Sequence, residues 1–203
     1  AYGNLEGKVS NFESENFTFY FGEKSRVLGE VGLDGLPNIS ETFIEFDLTK
    51  SRLYPEDVRQ YFPSESSFAQ FKKFGKISFS STFNGFPSQF TAKGQFQTDL
   101  GYLETDLQFK INEDLGRSEY EGELFTKDFK LGKFLKAKKV GKINLLGNIA
   151  GHGFTIDDAQ LDMTAAISKF EFLDYKYQKI LVDGHLKNKY FNGKLFVDDP
   201  NLK

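Results

Sequence analysis

Gly101-Tyr-Leu-Glu-Thr-Asp-Leu-Gln-Phe-Lys-Ile111 alternates residue by residue. Leu103, Thr105, Leu107, Phe109 and Ile111 fall on one side, and Tyr102, Glu104, Asp106, Gln108 and Lys110 on the other. A period of two puts these sets on opposite faces of a β-strand, one shunning water and one facing it. The same pattern runs outward in both directions. Val27, Gly29, Val31 and Leu33 form one such set, and Ile44, Phe46 and Leu48 another. Ile77 to Phe83, Phe90 to Phe96 and Tyr120 to Leu124 continue it, followed by Ile143 to Ile149 and Leu161 to Ile167. Ile180 to Leu186 and Phe191 to Val197 close the series. Short polar turns at this spacing predict an antiparallel meander.

Two stretches break the period. Tyr54-Pro-Glu-Asp-Val-Arg-Gln-Tyr-Phe-Pro63 places Pro55 at a first helical position with acids behind it. Ser67 to Phe74 carries Phe68, Phe71 and Phe74 at three-residue spacing, which predicts a short helix packed on one edge. Leu131 to Leu135 reads as a further single turn. Asn84-Gly85 and Asn192-Gly193 resemble hairpin turns. Gly85, however, keeps phase with Ile77, Phe79 and Phe83, so the turns are expected at Pro87-Ser88 and at Lys187 to Lys189. A weak repeat relates Gly75-Lys-Ile-Ser-Phe79 to Gly141-Lys-Ile-Asn-Leu145, with Gly85 and Gly151 at matching offsets. Repetition of this kind suggests an elongated sheet in which each unit covers its neighbour.

Gly29, Gly94, Gly122, Gly147, Gly184 and Gly193 all sit on the apolar side of their strands. Glycine weakens a strand and leaves a gap. Either these are scattered bulges of a sandwich, or they let a sheet curl sharply toward its apolar face. The second reading is adopted. The expected fold is all-β: one elongated antiparallel meander curled into a taco-like, U-shaped trough with an apolar lining, plus one or two short helices. Residues 1–203 are expected to form a single trough segment of a longer protein.

Composition narrows the chemistry. The chain has 203 residues, a formal net charge of -3, 24 Phe, one Met and neither Cys nor Trp. No general attraction to nucleic acid follows from that charge. Zero cysteines exclude disulfides, thiolate metal sites and a Cys nucleophile. No apolar run reaches the roughly 18 residues of a membrane-spanning helix. His152 and His185 have no partner at metal-ligand spacing, and no Ser/His/Asp set can be drawn. Gly22-Glu-Lys-Ser25 lacks the leading glycine of a phosphate loop and is rejected as one. Asp157-Asp158 and Asp198-Asp199 read as solvated turn formers before they read as cation ligands. Lys136 to Lys142 is a basic run that reads first as a solvated loop, with contact to anionic lipid headgroups or an acidic partner as the other reading. Two Asn-x-Ser/Thr triplets, at Asn16 and Asn38, carry no weight. No enzyme activity, catalytic residue, metal or cofactor is expected.

A family resemblance joins these readings. Phe96-Gln-Thr-Asp-Leu-Gly-Tyr-Leu-Glu-Thr-Asp-Leu107, Tyr120-Glu-Gly-Glu-Leu124 and Phe129-Lys-Leu-Gly-Lys133 carry it, with Gly184-His-Leu-Lys-Asn-Lys-Tyr-Phe-Asn-Gly-Lys194 and Asp199-Pro-Asn-Leu202. In these stretches the chain resembles the TamB family (translocation and assembly module, AsmA-like superfamily) in its Bacteroidetes form. Leu36-Pro37 and Val58-Arg-Gln-Tyr-Phe-Pro63 extend the likeness over most of the chain. The resemblance implies a β-taco periplasmic bridge anchored in the inner membrane of Gram-negative cells, with an Omp85-type outer-membrane barrel as partner. It implies a part in phospholipid transport between the membranes and in outer membrane biogenesis, including protein translocation and assembly. It supplies no catalytic residue.

Physical chemistry points to the same cargo: an apolar trough can hide a lipid acyl chain while the headgroup stays wet. The expected lining is Phe79, Phe83, Phe96, Leu103, Leu107 and Phe109, continued by Leu145, Ile149, Leu161, Leu195 and Val197. Two other functions stay open: a chaperone-like scaffold acting by β-augmentation at the trough edge, and a closed β-sandwich binding module.

Overall fold

A computed structural model describes residues 2–8, 10–62, 64–153, 159–187 and 190–200. Among the described residues thirteen strands form one antiparallel sheet. They are β1 (Tyr2–Lys8), β2 (Asn11–Phe21), β3 (Ser25–Asp34), β4 (Phe43–Leu53), β5 (Ile77–Phe86), β6 (Gln89–Thr98) and β7 (Gly101–Lys110). They continue as β8 (Glu119–Phe129), β9 (Val140–His152), β10 (Gln160–Phe172), β11 (Tyr175–Tyr177), β12 (Ile180–Lys187) and β13 (Tyr190–Val197). Strand order follows chain order from β1 to β13, with β11 pairing only β10, and the sheet does not close. The sandwich held open as an alternative is therefore not the fold. Accessible surface is 13163 Å² for a 23.2 kDa chain. A compact protein of that mass exposes about 9,700 Å², so roughly a third more surface stays wet than in a sphere-like domain.

Register explains the apolar face. Phe12, Leu33, Ile44, Gly85, Phe90, Phe109, Tyr120, Gly151, Leu161, Leu186 and Phe191 stand opposite one another in one row running across the sheet from β2 to β13. Two residues along lies the row Ser14, Val31, Phe46, Phe83, Ala92, Leu107, Gly122, Ile149, Met163, Gly184 and Gly193. The next holds Phe17, Gly29, Leu48, Ser81, Gly94, Thr105, Leu124, Gly147, Ala165, Val182 and Leu195. Every one of these strands except β4 places a Gly, Ala, Ser or Thr in one of the two latter rows. They form the crease along which the sheet curls toward its apolar side. A Cβ on Gly94 would meet that of Ser81 at 2.6 Å, and one on Gly147 that of Ala165 at 2.5 Å. Backbones this close leave no room for a side chain.

Bulges sharpen the bend. In β2, β4 and β8, three residues span the distance that two cover on the next strand, between Ser14 and Phe17, Leu48 and Ser51, and Thr126 and Phe129. Asn16, Lys50 and Asp128 take the left-handed conformation there. The Lys50 amide donates to Ser80 Oγ at 3.2 Å and the Asp128 amide to Asn144 Oδ1 at 2.6 Å, so side chains satisfy what the ladder drops. Lys169 bridges Asp128 at 3.2 Å and Glu171 at 3.1 Å across the second of these. Across these strands the register carries Phe79 through Phe96, Leu103 and Thr126 to Leu145, the same match that the sequence repeat makes.

Helical segments close one rim. Pro55–Tyr61 forms a 3-10 helix with Pro55 at its start, and α1 (Glu65–Lys72) follows, capped by Ser64, whose Oγ accepts from the Ser67 amide at 3.1 Å. After β8 the chain makes α2 (Leu131–Leu135), ended by left-handed Lys136. Phe74 packs against Phe129 and Phe134 with ring centres 6.4 and 5.7 Å away, and Lys73 Nζ donates to the Phe134 carbonyl at 2.6 Å. Beneath them Leu100, Phe129, Ile143, Leu145, Ala165, Ile167, Ile180 and Val182 form the dry core. The Pro87-Ser88 turn falls where expected. Residues 188 and 189 of the other turn lie outside the described residues.

Candidate functional site: the apolar face of the trough

All eleven side chains expected to line the trough stand on one face. Phe109 and Leu161 lie in the first row above, Phe83, Leu107 and Ile149 in the second, and Leu195 in the third. A fourth row, nearest the helical rim, holds Phe79, Phe96, Leu103, Thr126, Leu145, Ile167, Ile180 and Val197. The first three rows, from β2 to β13, and the fourth, from β5 to β13, contain no Asp, Glu, Lys or Arg.

Burial divides the lining. Leu145, only 7% exposed, belongs to the dry core, and Leu103 and Val197 pack against it. Phe79, Phe83, Phe96, Leu107, Phe109, Ile149 and Leu161 are half-buried, held at their flanks by neighbouring strands and open above. Leu195, on the last strand, is 60% exposed. An aromatic ladder runs across four strands: Phe46 to Phe83 at 6.0 Å, Phe83 to Phe90 at 4.4 Å and Phe90 to Phe109 at 5.0 Å. Stacking from Phe83 through Phe90 to Phe109, with Phe46 tilted against Phe83, fixes these rings without a polar anchor. Phe79 and Phe96 stack at 6.0 Å nearer the helices.

The outer face is mostly polar, but not throughout. Phe125, Leu146, Ala166, Leu181 and Phe196 are cross-strand neighbours on it, flooring a cleft of about 560 Å³. Sequence reading missed this row. Its signal was present in apolar doublets and triplets, Leu145-Leu146, Ala165-Ala166, Ile180-Leu181-Val182 and Leu195-Phe196-Val197, where a period of two cannot put every member on one face.

The polar candidates resolve into structural roles. His185 Nδ1 lies 2.9 Å from Asp162 Oδ1 on the outer face. His152 is the last residue of β9, with Nδ1 3.2 Å from the Gly116 carbonyl. Asp198 pairs with Lys179 at 3.1 Å. Asp199 is buried and accepts from the Tyr175 hydroxyl at 2.6 Å and the Gln178 amide at 3.0 Å. Asp157-Asp158 fall outside the described residues. The Gly22–Ser25 turn does hold an anion, but an internal one: Asp57 accepts from the amides of Glu23, Lys24 and Ser25 at 2.9, 3.1 and 2.8 Å, and from Ser25 Oγ at 2.7 Å. The Ser25 hydroxyl, then the amides, hold its carboxyl down at about 2. The turn is thereby fastened to the 3-10 helix. Among the described residues no cluster of His, Asp and Glu has the makings of a metal site.

No family model matches this chain, and neither a curated protein nor a solved structure matches it.

Proposed function

We propose that the trough shields lipid acyl chains, as one segment of a periplasmic conduit for phospholipid between inner and outer membranes. The observation that carries this is the set of four adjacent rows without a charged side chain, three spanning β2 to β13 and one β5 to β13, on a sheet that stays open. A contiguous apolar surface of that extent is seldom left uncovered unless something binds there. Burying a sixteen-carbon tail recovers on the order of 10 kcal/mol at about 0.8 kcal/mol per methylene, which offsets most of the cost of leaving a bilayer. Half-buried aromatic and aliphatic walls offer contact everywhere and a deep well nowhere, so a tail can slide along the rows. The polar outer face keeps such a segment in water. On this reading the inner membrane and an Omp85-type barrel lie at the two ends of the parent assembly, and support for outer-membrane biogenesis follows from lipid supply.

Native mass spectrometry of the protein purified from Gram-negative cells tests the reading. Co-purifying phospholipid is expected with the wild type and is lost in Leu107→Arg and Phe109→Asp, whose far-UV circular dichroism stays that of a β protein. Lipid retained at wild-type stoichiometry in both variants would sink the proposal.

A further inference from the structure

At the helical rim the basic run after α2 meets a strained turn. Residues 130–142 carry six lysines and no acid, in a chain of formal net charge -3. Lys133, Lys136, Lys138 and Lys139 are exposed, and among the described residues none of them has an ion-pair partner. Lys73, just after α1, joins them: burial, then the charge of Lys136, lowers its pKa. The Lys139 carbonyl accepts from the Leu173 amide at 2.9 Å, which brings in the turn between β10 and β11. Leu173 and Asp174 both take positive φ, 50° and 64°. A two-residue turn of this kind favours Asn, Asp or Gly, and a leucine in it is strained. Its side chain nevertheless stands 56% exposed. Of the acids beside it, Glu171 is held by Lys169 and the Lys142 amide, and Asp128 by Lys169, which leaves Asp174. Both turns lie at strand ends within the chain, so strands added beyond β1 or β13 would not cover them.

We infer that this tip rests on an anionic lipid bilayer, with the lysines over the headgroup phosphates and Leu173 inserted among them. Two features select a bilayer over an acidic protein. The cluster is all lysine: an ammonium on a flexible stem suits diffuse surface charge, whereas pairing with individual carboxylates favours the planar fork of arginine. An exposed apolar side chain among cations also matches the boundary of a bilayer, where apolar atoms sink and ammonium groups stay with the phosphates. The strained turn agrees with this. Asparagine would relax the backbone there, so a leucine held open to water at that cost points to a contact outside the chain. Each lysine near an anionic surface adds an attraction that fades within a Debye length. The inference concerns the helical rim and does not depend on lipid in the trough.

Flotation of the protein with vesicles tests it. Binding is expected to vesicles of phosphatidylcholine mixed with phosphatidylglycerol, weakened by added salt, and not to phosphatidylcholine alone. Changing Lys133, Lys138 and Lys139 together to Glu is expected to weaken binding about tenfold or more, with circular dichroism unchanged. Leu173→Asn is expected to raise the thermal midpoint, because asparagine suits the left-handed turn, and yet to weaken binding several-fold. Phe109→Asp, a change in the trough, is expected to float as the wild type does. Equal binding to both kinds of vesicle, undiminished binding of the triple variant or of Leu173→Asn, or loss of binding in Phe109→Asp would each overturn the inference. So would retention on immobilised polyglutamate without binding to the anionic vesicles.

Discussion

At the helical rim Phe129 is 6% exposed beneath Phe74 and Phe134, while at the opposite rim Phe90 and Phe109, in the same sheet, stay half-open. Both rims are built from phenylalanine on alternating strand positions. The difference is a second layer. After β4 and after β8 the chain spends residues on helical segments whose aromatic side chains roof the strand ends, whereas residues 35–42, 87–88 and 111–118, which link strands at the other rim, contain no aromatic residue. The comparison separates two uses of one residue type: where a roof exists, Phe holds the fold, and where none exists, Phe remains available to a guest.

The sharpest way to break this contrast is to truncate one ring on each side. Phe129→Ala is expected to cost about 3–5 kcal/mol, a large part of the stability of a domain. Phe109→Ala should cost a fraction of that, because its site already opens to solvent. Urea titrations of both variants check it, and equal losses would erase the distinction between the rims. Filling the crease between them comes next. Gly94→Val forces two strands apart where Ser81 Cβ lies 2.6 Å from the added carbon, and overpacking of this kind costs about 1–3 kcal/mol. Its thermal midpoint should fall below that of Thr91→Val, an outer-face change on the same strand.

Charge on the open face alone should leave stability nearly intact while removing lipid, which is the expected result for Leu107→Arg and Phe109→Asp. Charge at the roofed rim, as in Leu145→Arg, should instead prevent folding, read by loss of the β-type circular dichroism spectrum. Smaller still is the acid response of the Asp57 clip. Its folded value of about 2 lies below the ordinary 3.8, so its stabilising contribution is complete above 3.8 and is lost as pH falls toward 2. Asp57→Asn should be less stable than wild type at neutral pH and should converge with it across that window, followed by thermal midpoints at stepped pH. The least effect is expected from Lys93→Ala. Lys93 pairs with Asp106 at 2.9 Å on the exposed outer face, and such pairs are screened and contribute little.

Much of this architecture was legible in the chain. The period of two located ten strands, and the phase of Gly85 placed a turn at Pro87-Ser88 against the pull of Asn84-Gly85. β2 escaped that reading for a specific reason: its bulge at Asn16 shifts Phe17, Phe19 and Phe21 out of phase with Phe12 and Ser14. β11 is three residues long, too short for alternation to register. The bulges at Lys50 and Asp128 carry no glycine or proline signal, since any polar residue with a side-chain acceptor opposite can occupy them. The division of the lining was not legible either. Leu145 and Leu107 look alike in sequence, and only the fold of α2 over one strand end makes the first core and the second surface.

By itself, the sequence determined the strands, their two unlike faces and the small residues at the middle of nearly every strand, because alternation and side-chain volume are local properties. The tertiary structure alone decided which rim is roofed and which apolar residues stay open. Those outcomes depend on which elements meet across the sheet, and contacts between residues distant in the chain leave no periodic trace along it.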